Sequence, residues 1–387
     1  MRRKATALFG LSAPLSSSSS LRRVGLFPPA VSRPVHHLPP LSPSFHQSRW
    51  LSSMMQSFKK IGTHSGSFHC DEALACFMLR QLPEFSDAAV VRSRDPAVLN
   101  ECDILVDVGG EYDVERRRFD HHQRGFTETF DSKHKIKLSS AGLIFKHYGK
   151  RVIAEALGTD EKTTELIYQE AYDTFIEALD GIDNGVMQYP GDIEPAYHSS
   201  TDLPSRVGHL NPPWNVPEET VDLNERFAKA MALAGGEFLD HIKHIKESYL
   251  PARELVERAI LSRDADFNTK DSEVIILEHY CPWKRHLFQL ESYHNISVPI
   301  KYVLYQDQSG AWRIQCVSER PSSFVNRLSL PEEWRGLRDD ALSQAAGVEG
   351  CIFIHATGFI GGAKTKEGVI ALAQKALSIA RQKQESS

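Results

Sequence analysis

The chain has 387 residues, of which 25% are charged and 41% hydrophobic, and a formal net charge of −5 at pH 7. That length is ample for two or three hydrophobic cores, and the acidic balance excludes a broad, non-specific grip on duplex nucleic acid. No apolar run approaches the roughly 20 residues of a membrane-spanning helix, so no membrane partner is expected.

The first fifty residues hold six Arg and one Lys and no acid; the first acidic residue is Asp71. With the serine run Ser16 to Ser20 and frequent proline from Pro28 to Pro43, residues 1–53 read as a disordered organelle transit peptide. The arginines favour the mitochondrion, and the serine run makes a plastid the alternative. Met54 and Met55 stand just before the folded pattern begins, and a start there would give a nuclear or cytosolic form. The six cysteines contain no Cys-x-x-Cys pair and read as reduced thiols.

From residue 57 the pattern alternates between strand and helix. Residues 57–63 predict a short strand ending at His64. Leu74, Phe77, Met78 and Leu82 give residues 71–82 a helical period. Residues 88–91 predict a second strand and 104–106 a third, which runs into Asp107 and then Gly109-Gly110. Such alternation predicts a parallel α/β sheet, whose ligands sit beyond the carboxyl ends of the strands. Helices are expected at 139–148, 163–179 and 221–262, the last broken near Gly235-Gly236 and at Pro251. Residues 189–217 have no period and read as a loop or lid. A second α/β region starts near Val274, with strands expected at 274–277, 299–305, 312–317 and 351–355. A glycine-rich turn at 358–362 and a helix over 366–381 follow. The expected organisation is a catalytic domain over 54–218, a helical connector over 219–262 and a C-terminal α/β domain over 263–387.

Four clusters carry chemistry. His64, His69 and Asp71 fall where a strand turns into a helix, with Gly66 allowing a tight backbone; imidazole with carboxylate suits Mn, Fe, Zn or a similar divalent ion. Asp107 ends a buried strand, where a carboxylate is costly unless paired or coordinated. Asp120, His121 and His122 are three consecutive metal-capable side chains in a segment flanked by Arg116, Arg117, Arg118 and Arg124, which can hold phosphate oxygens. Asp180 and Asp183 close a helix, and alone would be an ordinary helix terminus. Glu72 reads as a helix cap. Together these residues suffice for two divalent ions bridged by one carboxylate, the arrangement that stabilises the attacking and leaving oxygens in phosphoester displacement. No P-loop, dinucleotide fingerprint or nucleophile elbow competes.

The order His64 to Asp71, Asp107, Asp120-His121-His122 and Asp180/Asp183 resembles the DHH phosphoesterase superfamily. The combination of His64-x-Gly66-x-Phe68-His69-x-Asp71-Glu72, Asp107-Val108-Gly109-Gly110, Phe119-Asp120-His121-His122-Gln123 and His355-x-x-Gly358-Phe359-Ile360-Gly361-Gly362 looks like the Myg family, the melanocyte-proliferating-gene exonucleases, over residues 58 to 382. The resemblance implies a metal-dependent 3′–5′ exonuclease acting on single-stranded RNA, found in mitochondria and nucleus. It implies a DHH-type parallel-sheet domain followed by a smaller C-terminal α/β domain, with the active site in the cleft between them.

By analogy, His64, His69 and Asp107 would hold one ion, and Asp71, Asp107, His121 and one of Asp180 or Asp183 the other. The expected ions are two Mn2+, with Mg2+ second. His122 would sit over the scissile phosphate, with Asp120 beside it in the catalytic triplet. Many superfamily members carry Asp where this chain has His69, one residue closer to the first motif position, which leaves the ligand set and the preferred metal open. His355, Gly361, Gly362 and Lys364 look like the superfamily's glycine-rich substrate motif. Lys284 and His286, beside Trp283 and Arg285, read either as a basic surface patch or as a group that stacks a base and holds backbone phosphate, with Arg124 adding charge. The competing readings are a small-molecule phosphoesterase, acting on pyrophosphate or a short oligonucleotide, and a non-catalytic metal-stabilised scaffold. No obligate protein partner is evident.

Overall fold

The computed structural model describes residues 58–385 except 190, 192, 194, 195, 198, 218, 219 and 322. The expected transit segment 1–53, with Met54 and Met55, lies outside the described residues.

The first sheet consists of β1 (Lys60–Thr63), β2 (Ala89–Arg92), β3 (Ile104–Val106), β4 (Tyr112–Asp113) and β5 (Arg118–Phe119), in the order β2-β1-β3-β5-β4. Strands β2, β1, β3 and β5 run parallel, and β4 pairs antiparallel to β5 at the edge. The fully buried run of β3 explains its place in the middle. The four parallel strands therefore end on one side, and three of them run directly into His64, Asp107 and Asp120.

Helices α1 (Cys70–Arg80), α2 (Pro96–Leu99) and α3 (Ser140–Leu157) follow, then α4 (Glu161–Ala171), which passes through a π turn at 172–176 into α5 (Glu177–Asp183). A short helix α6 (Leu203–Gly208) lies within the segment expected to be loop, started by Asp202, whose carboxylate accepts from the Ser205 amide at 3.0 Å. Then α7 (Leu223–His244) continues through a second π turn at 245–249 into α8 (Leu250–Asp266).

The expected break at Gly235-Gly236 does not occur. Gly235 is buried against α1, where an added Cβ would lie 2.1 Å from the Phe77 ring, so glycine is what lets the two helices approach. The interruption falls instead at the π turn before Pro251, which lacks an amide donor and crowds the carbonyl four residues back. Phe227, Ala234, Phe238 and Ile242 of α7, within the expected connector, belong to the first core with Ile61, Leu74 and Phe145.

The second sheet contains β6 (Val274–Ile276), β7 (Tyr302–Gln306), β8 (Trp312–Cys316), β9 (Cys351–Ile354) and β10 (Ile360–Ala363), ordered β6-β7-β8-β10-β9. It is mixed: only β6 and β7 are parallel. Side-chain alternation sends Ile275 and Val303 towards α8 and α9 (Trp283–Tyr293), and Val274, Tyr302 and Leu304 towards α11 (Lys366–Glu385), giving one core on each face. Helix α10 (Asp339–Ala346) packs beside β9.

Helix α9 corrects the reading of residues 283–286 as a surface patch. Trp283 and His286 are buried in it, Arg285 pairs with Glu170 and Asp173 of the first lobe, and only Lys284 is exposed. His286 packs on Tyr249 with ring centroids 4.0 Å apart, and neither ring nitrogen has a hydrogen-bond partner. It is placed to pack, not to hold phosphate.

Two outcomes test this packing. Gly235→Ala should lower the urea midpoint, at a cost of about 1–3 kcal/mol from overpacking on Phe77. Gly236→Ala, whose Cβ meets nothing, should raise it by up to about 1 kcal/mol. Burial, helped by the Arg253 and Arg285 charges, lowers the His286 pKa to about 4. The unfolded chain then binds the proton more tightly, so stability is complete above about pH 6.5 and falls as pH drops towards 4. Wild type should therefore lose about 1–2 kcal/mol more than His286→Leu between pH 7 and pH 5 in urea titrations.

Candidate metal centre

Each chemical side chain is delivered by an element end. His64 follows β1, and the chain turns through Gly66 into α1, whose first turn carries Asp71 and Glu72. The Glu72 carboxylate accepts from the His69 amide at 2.9 and 3.0 Å, capping the helix. Asp107 follows β3 with φ of +55°, a left-handed conformation that aspartate tolerates better than most side chains and that ends the strand abruptly. Asp120, His121 and His122 follow β5, and Asp183 is the last residue of α5.

These ends meet in three overlapping sets: His64, His69, Glu72 and Asp107; Asp107, His121 and His122; and Asp71, His121 and Asp183. Within each set the donor atoms lie within 4.8 Å of one another. Asp107 joins the first two sets: its Oδ2 is 3.4 Å from His64 Nε2, and its Oδ1 is 3.3 Å from His121 Nε2 and 3.4 Å from His122 Nδ1. His121 Nε2 is also 3.2 Å from Asp183 Oδ2 and 4.0 Å from Asp71 Oδ2. His64 Nε2 lies 3.0 Å from Glu72 Oε1, so Glu72 is both cap and member of the donor set, a role beyond the cap read from sequence.

The donor set fits divalent cations. Both Asp71 oxygens and His121 Nε2 are buried and have no hydrogen-bond partner, a costly arrangement that a cation relieves. Burial, then the charges of Asp107, Asp183 and Glu72, push the Asp71 carboxyl well above its usual range. Burial also opposes an ionised Asp107, but the His121 and His64 imidazoles outweigh it and hold that carboxyl well below the usual range. His64 is disfavoured as a cation by burial, yet Asp107 and Glu72 raise it to about 10. Oxygen and imidazole donors suit Mn2+, Fe2+ or Zn2+. Cys70 lies beside them, but burial and the Asp71 charge push its thiol up, away from the thiolate form.

Other residues hold this set in place. Ser140 Oγ lies 3.1 Å from Asp107 Oδ1 and 3.1 Å from the Phe119 carbonyl. Asp120 is taken up within its own loop: Oδ2 accepts from the Gly110 amide at 2.6 Å, and Oδ1 accepts from the His122 amide and faces His122 Nδ1 at 2.9 Å. It orients the exposed His122. Arg94, exposed, donates to the Ser65 carbonyl at 3.2 Å and has Nη2 3.3 Å from His64 Nδ1. The sequence reading missed Ser140 and Arg94. The Ser139-Ser140 pair is visible as a helix-start signal, but its link to Asp107 is tertiary.

Asp180 is not brought to the centre. Fully buried, it accepts from the Ser139 amide at 2.9 Å, the Ser139 hydroxyl at 2.7 Å and the Tyr172 hydroxyl at 3.0 Å. Gly142 makes room for it, since a Cβ there would lie 2.3 Å from Oδ1. Of the two aspartates, Asp183 is the one that reaches His121. Thus Asp180 ties α5 to the start of α3 while Asp183, less than one turn later, faces the ions' donor set.

A cavity of about 290 Å3 opens over the centre, and all its lining residues lie between Phe68 and Gly208, so the second lobe contributes none of the lining. Arg124, Lys284, His355 and Lys364 are exposed. Gly361 and Gly362 are buried in β10, against Ile354 and Arg313, and are strand residues where a turn was expected.

The chain matches the family model MYG1_exonuc, described as "Uncharacterised protein family (UPF0160)", over residues 60–377. It is 53% identical to the MYG1 protein of Dictyostelium discoideum over 318 residues, covering 82% of this chain and 96% of that protein. It is 49% identical to the MYG1 exonuclease of Homo sapiens over 335 residues, covering 84% and 88%. The solved structure of RecJ from Thermus thermophilus in complex with Mn2+ overlays at 16% identity with a TM-score of 0.23, covering 89% of this chain and 56% of that one, too faint a likeness to bear on the fold or the ion.

The division of labour between the two aspartates is measurable. In calorimetric titration with Mn2+, Asp183→Asn should weaken binding at least roughly tenfold, and the metal-free variant should melt no lower than wild type because a like charge has been removed. Asp180→Asn should instead lower the stability of the metal-free protein by about 1–3 kcal/mol. Ser140→Ala should weaken Mn2+ binding by roughly 10–100-fold, as loss of a partner to a ligating carboxylate does elsewhere.

Proposed function

The chain belongs to the MYG1_exonuc family, and from that premise we propose that it is a metal-dependent exonuclease that hydrolyses single-stranded RNA from the 3′ end. The observation that carries this reading is the set of buried, unpartnered atoms on Asp71 and His121 that meet Asp107 and Asp183 where strand ends and helix ends converge. In the proposed assignment Asp71, His121 and Asp183 hold one ion and His64, His69 and Glu72 the other, with Asp107 between them. When bound, a pair of divalent ions, Mn2+ first and Mg2+ second, supplies positive charge to the attacking and leaving oxygens of a phosphodiester.

The chain's own groups do the rest. Asp120 holds His122 at the mouth of the cavity, where its exposed imidazole can pass a proton to the leaving oxygen. Arg124, Lys284, His355 and Lys364, all exposed, are the proposed contacts for backbone phosphate. The small-molecule alternative draws support from a cavity of only about 290 Å3 in a chain of net charge −5. For location we propose the mitochondrion, directed by residues 1–53, with a nuclear or cytosolic product begun at Met54 or Met55.

The deciding measurement is Mn2+-dependent degradation of end-labelled single-stranded RNA by protein starting at Met55. Stepwise loss from the 3′ end, stopped by chelator and restored by Mn2+, is the expected result. His122→Ala should lower kcat by roughly 10²–10⁴-fold with Mn2+ affinity retained. Turnover of pyrophosphate or dinucleotides with no activity on longer RNA would keep the centre and move the substrate to the small-molecule class.

A further inference from the structure

The cavity over the centre has two kinds of lining. Asp71, Asp107, His122 and Asp183 give it charge, while Ile182 and Pro204 give it an apolar surface, backed by the buried Phe68 and Leu179. We propose that this apolar surface is a subsite for the base of the terminal nucleotide, so that the enzyme grips a base as well as the phosphate beside it. The inference rests on the nuclease reading and adds a substrate requirement to it.

Three observations carry the subsite. Leu179, Ile182 and Asp183 are spaced i, i+3, i+4 on α5, so apolar contact and proposed metal ligand share one face of one helix. Ile182 is 50% exposed although Leu179 and Asp180 of the same helix are buried, which leaves a large apolar side chain open at the charged centre. The surface is also built in advance. Asn211 accepts from the Phe68 amide at 3.0 Å and donates to the Phe68 carbonyl at 2.8 Å, and the Asp202 cap fixes the start of α6, which carries Pro204.

An inorganic phosphate gains nothing from such a surface, whereas every nucleobase has a flat face that does. The four apolar side chains offer no hydrogen bond to a base edge, so the subsite accepts a base without distinguishing which one. A volume of about 290 Å3 lies at the small end of ligand sites and suits one nucleotide, not a stretch of strand.

The test compares two single-stranded oligonucleotides under Mn2+, one ordinary and one with a stable abasic sugar at both ends, on wild type, Ile182→Ala and Pro204→Ala. Wild type should show a kcat/KM for the ordinary end roughly tenfold above that for the abasic end, the scale of discrimination an apolar pocket supplies. Both variants should shrink that ratio towards one, through KM for the ordinary end. Because the ratio is taken within each protein, a general loss of activity does not mimic the effect. A ratio of one in wild type, with both oligonucleotides degraded, would overturn the base subsite and leave the nuclease reading standing. A ratio kept intact in both variants would overturn it too. Degradation of neither oligonucleotide by a protein that binds Mn2+ would overturn the nuclease reading and the subsite with it.

Discussion

Four carboxylates, those of Asp71, Glu72, Asp107 and Asp183, converge within a few ångströms of the buried His64 and His121 imidazoles, with His69 and His122 beside them, in a place largely withdrawn from water. Like charges so close and so poorly solvated cannot all stay ionised without positive charge between them. The opposite directions in which Asp71 and Asp107 are driven express that conflict: one carboxyl is pushed towards its neutral form, and the other is kept ionised by the imidazoles. Most of the first lobe can be understood as the framework that holds this unfavourable arrangement together. Three parallel strands end on one side, a left-handed residue stops the middle one, and two helix ends close the ring.

The start of α3 is the second point on which the centre hangs. Its adjacent serines hold two different elements, Ser139 the Asp180 carboxylate of α5, which carries Asp183, and Ser140 the Asp107 carboxylate after β3. A helix that contributes no ligand thus sets the distance between two elements that do. Neutral hydrogen bonds of this sort stabilise a fold modestly, but their loss beside ligating groups is felt in the site.

What sequence reading could see follows from what is local. The short strand before His64, the buried run before Asp107, the triplet after Phe119 and the helix over 366–381 are all signalled by residues near one another, and the structure contains each element. The family resemblance, stated from motifs, agrees with the match over residues 60–377. The misses are tertiary. Gly235 reads as a helix breaker until Phe77 is packed against it. Trp283 to His286 reads as a basic patch until two of its four side chains turn inward as part of α9. Asp180 and Asp183 cannot be told apart by residue type; which one faces the donor set depends on the rotation of a helix.

That rotation has a specific origin in the π turn at 172–176, between α4 and α5. A π turn accommodates one residue more than the regular helix, and each residue of an α-helix advances the side chains by about 100°. Upstream of the turn, Thr164, Ile167 and Tyr168 are keyed to the core; downstream, Asp180 is keyed to Ser139 and Asp183 to the donor set. The extra residue is therefore the phase adjustment that lets both ends of one helix fit their surroundings. Residue number, and not only residue type, is under constraint here: shortening the segment by one would give a more regular helix whose acidic end points the wrong way.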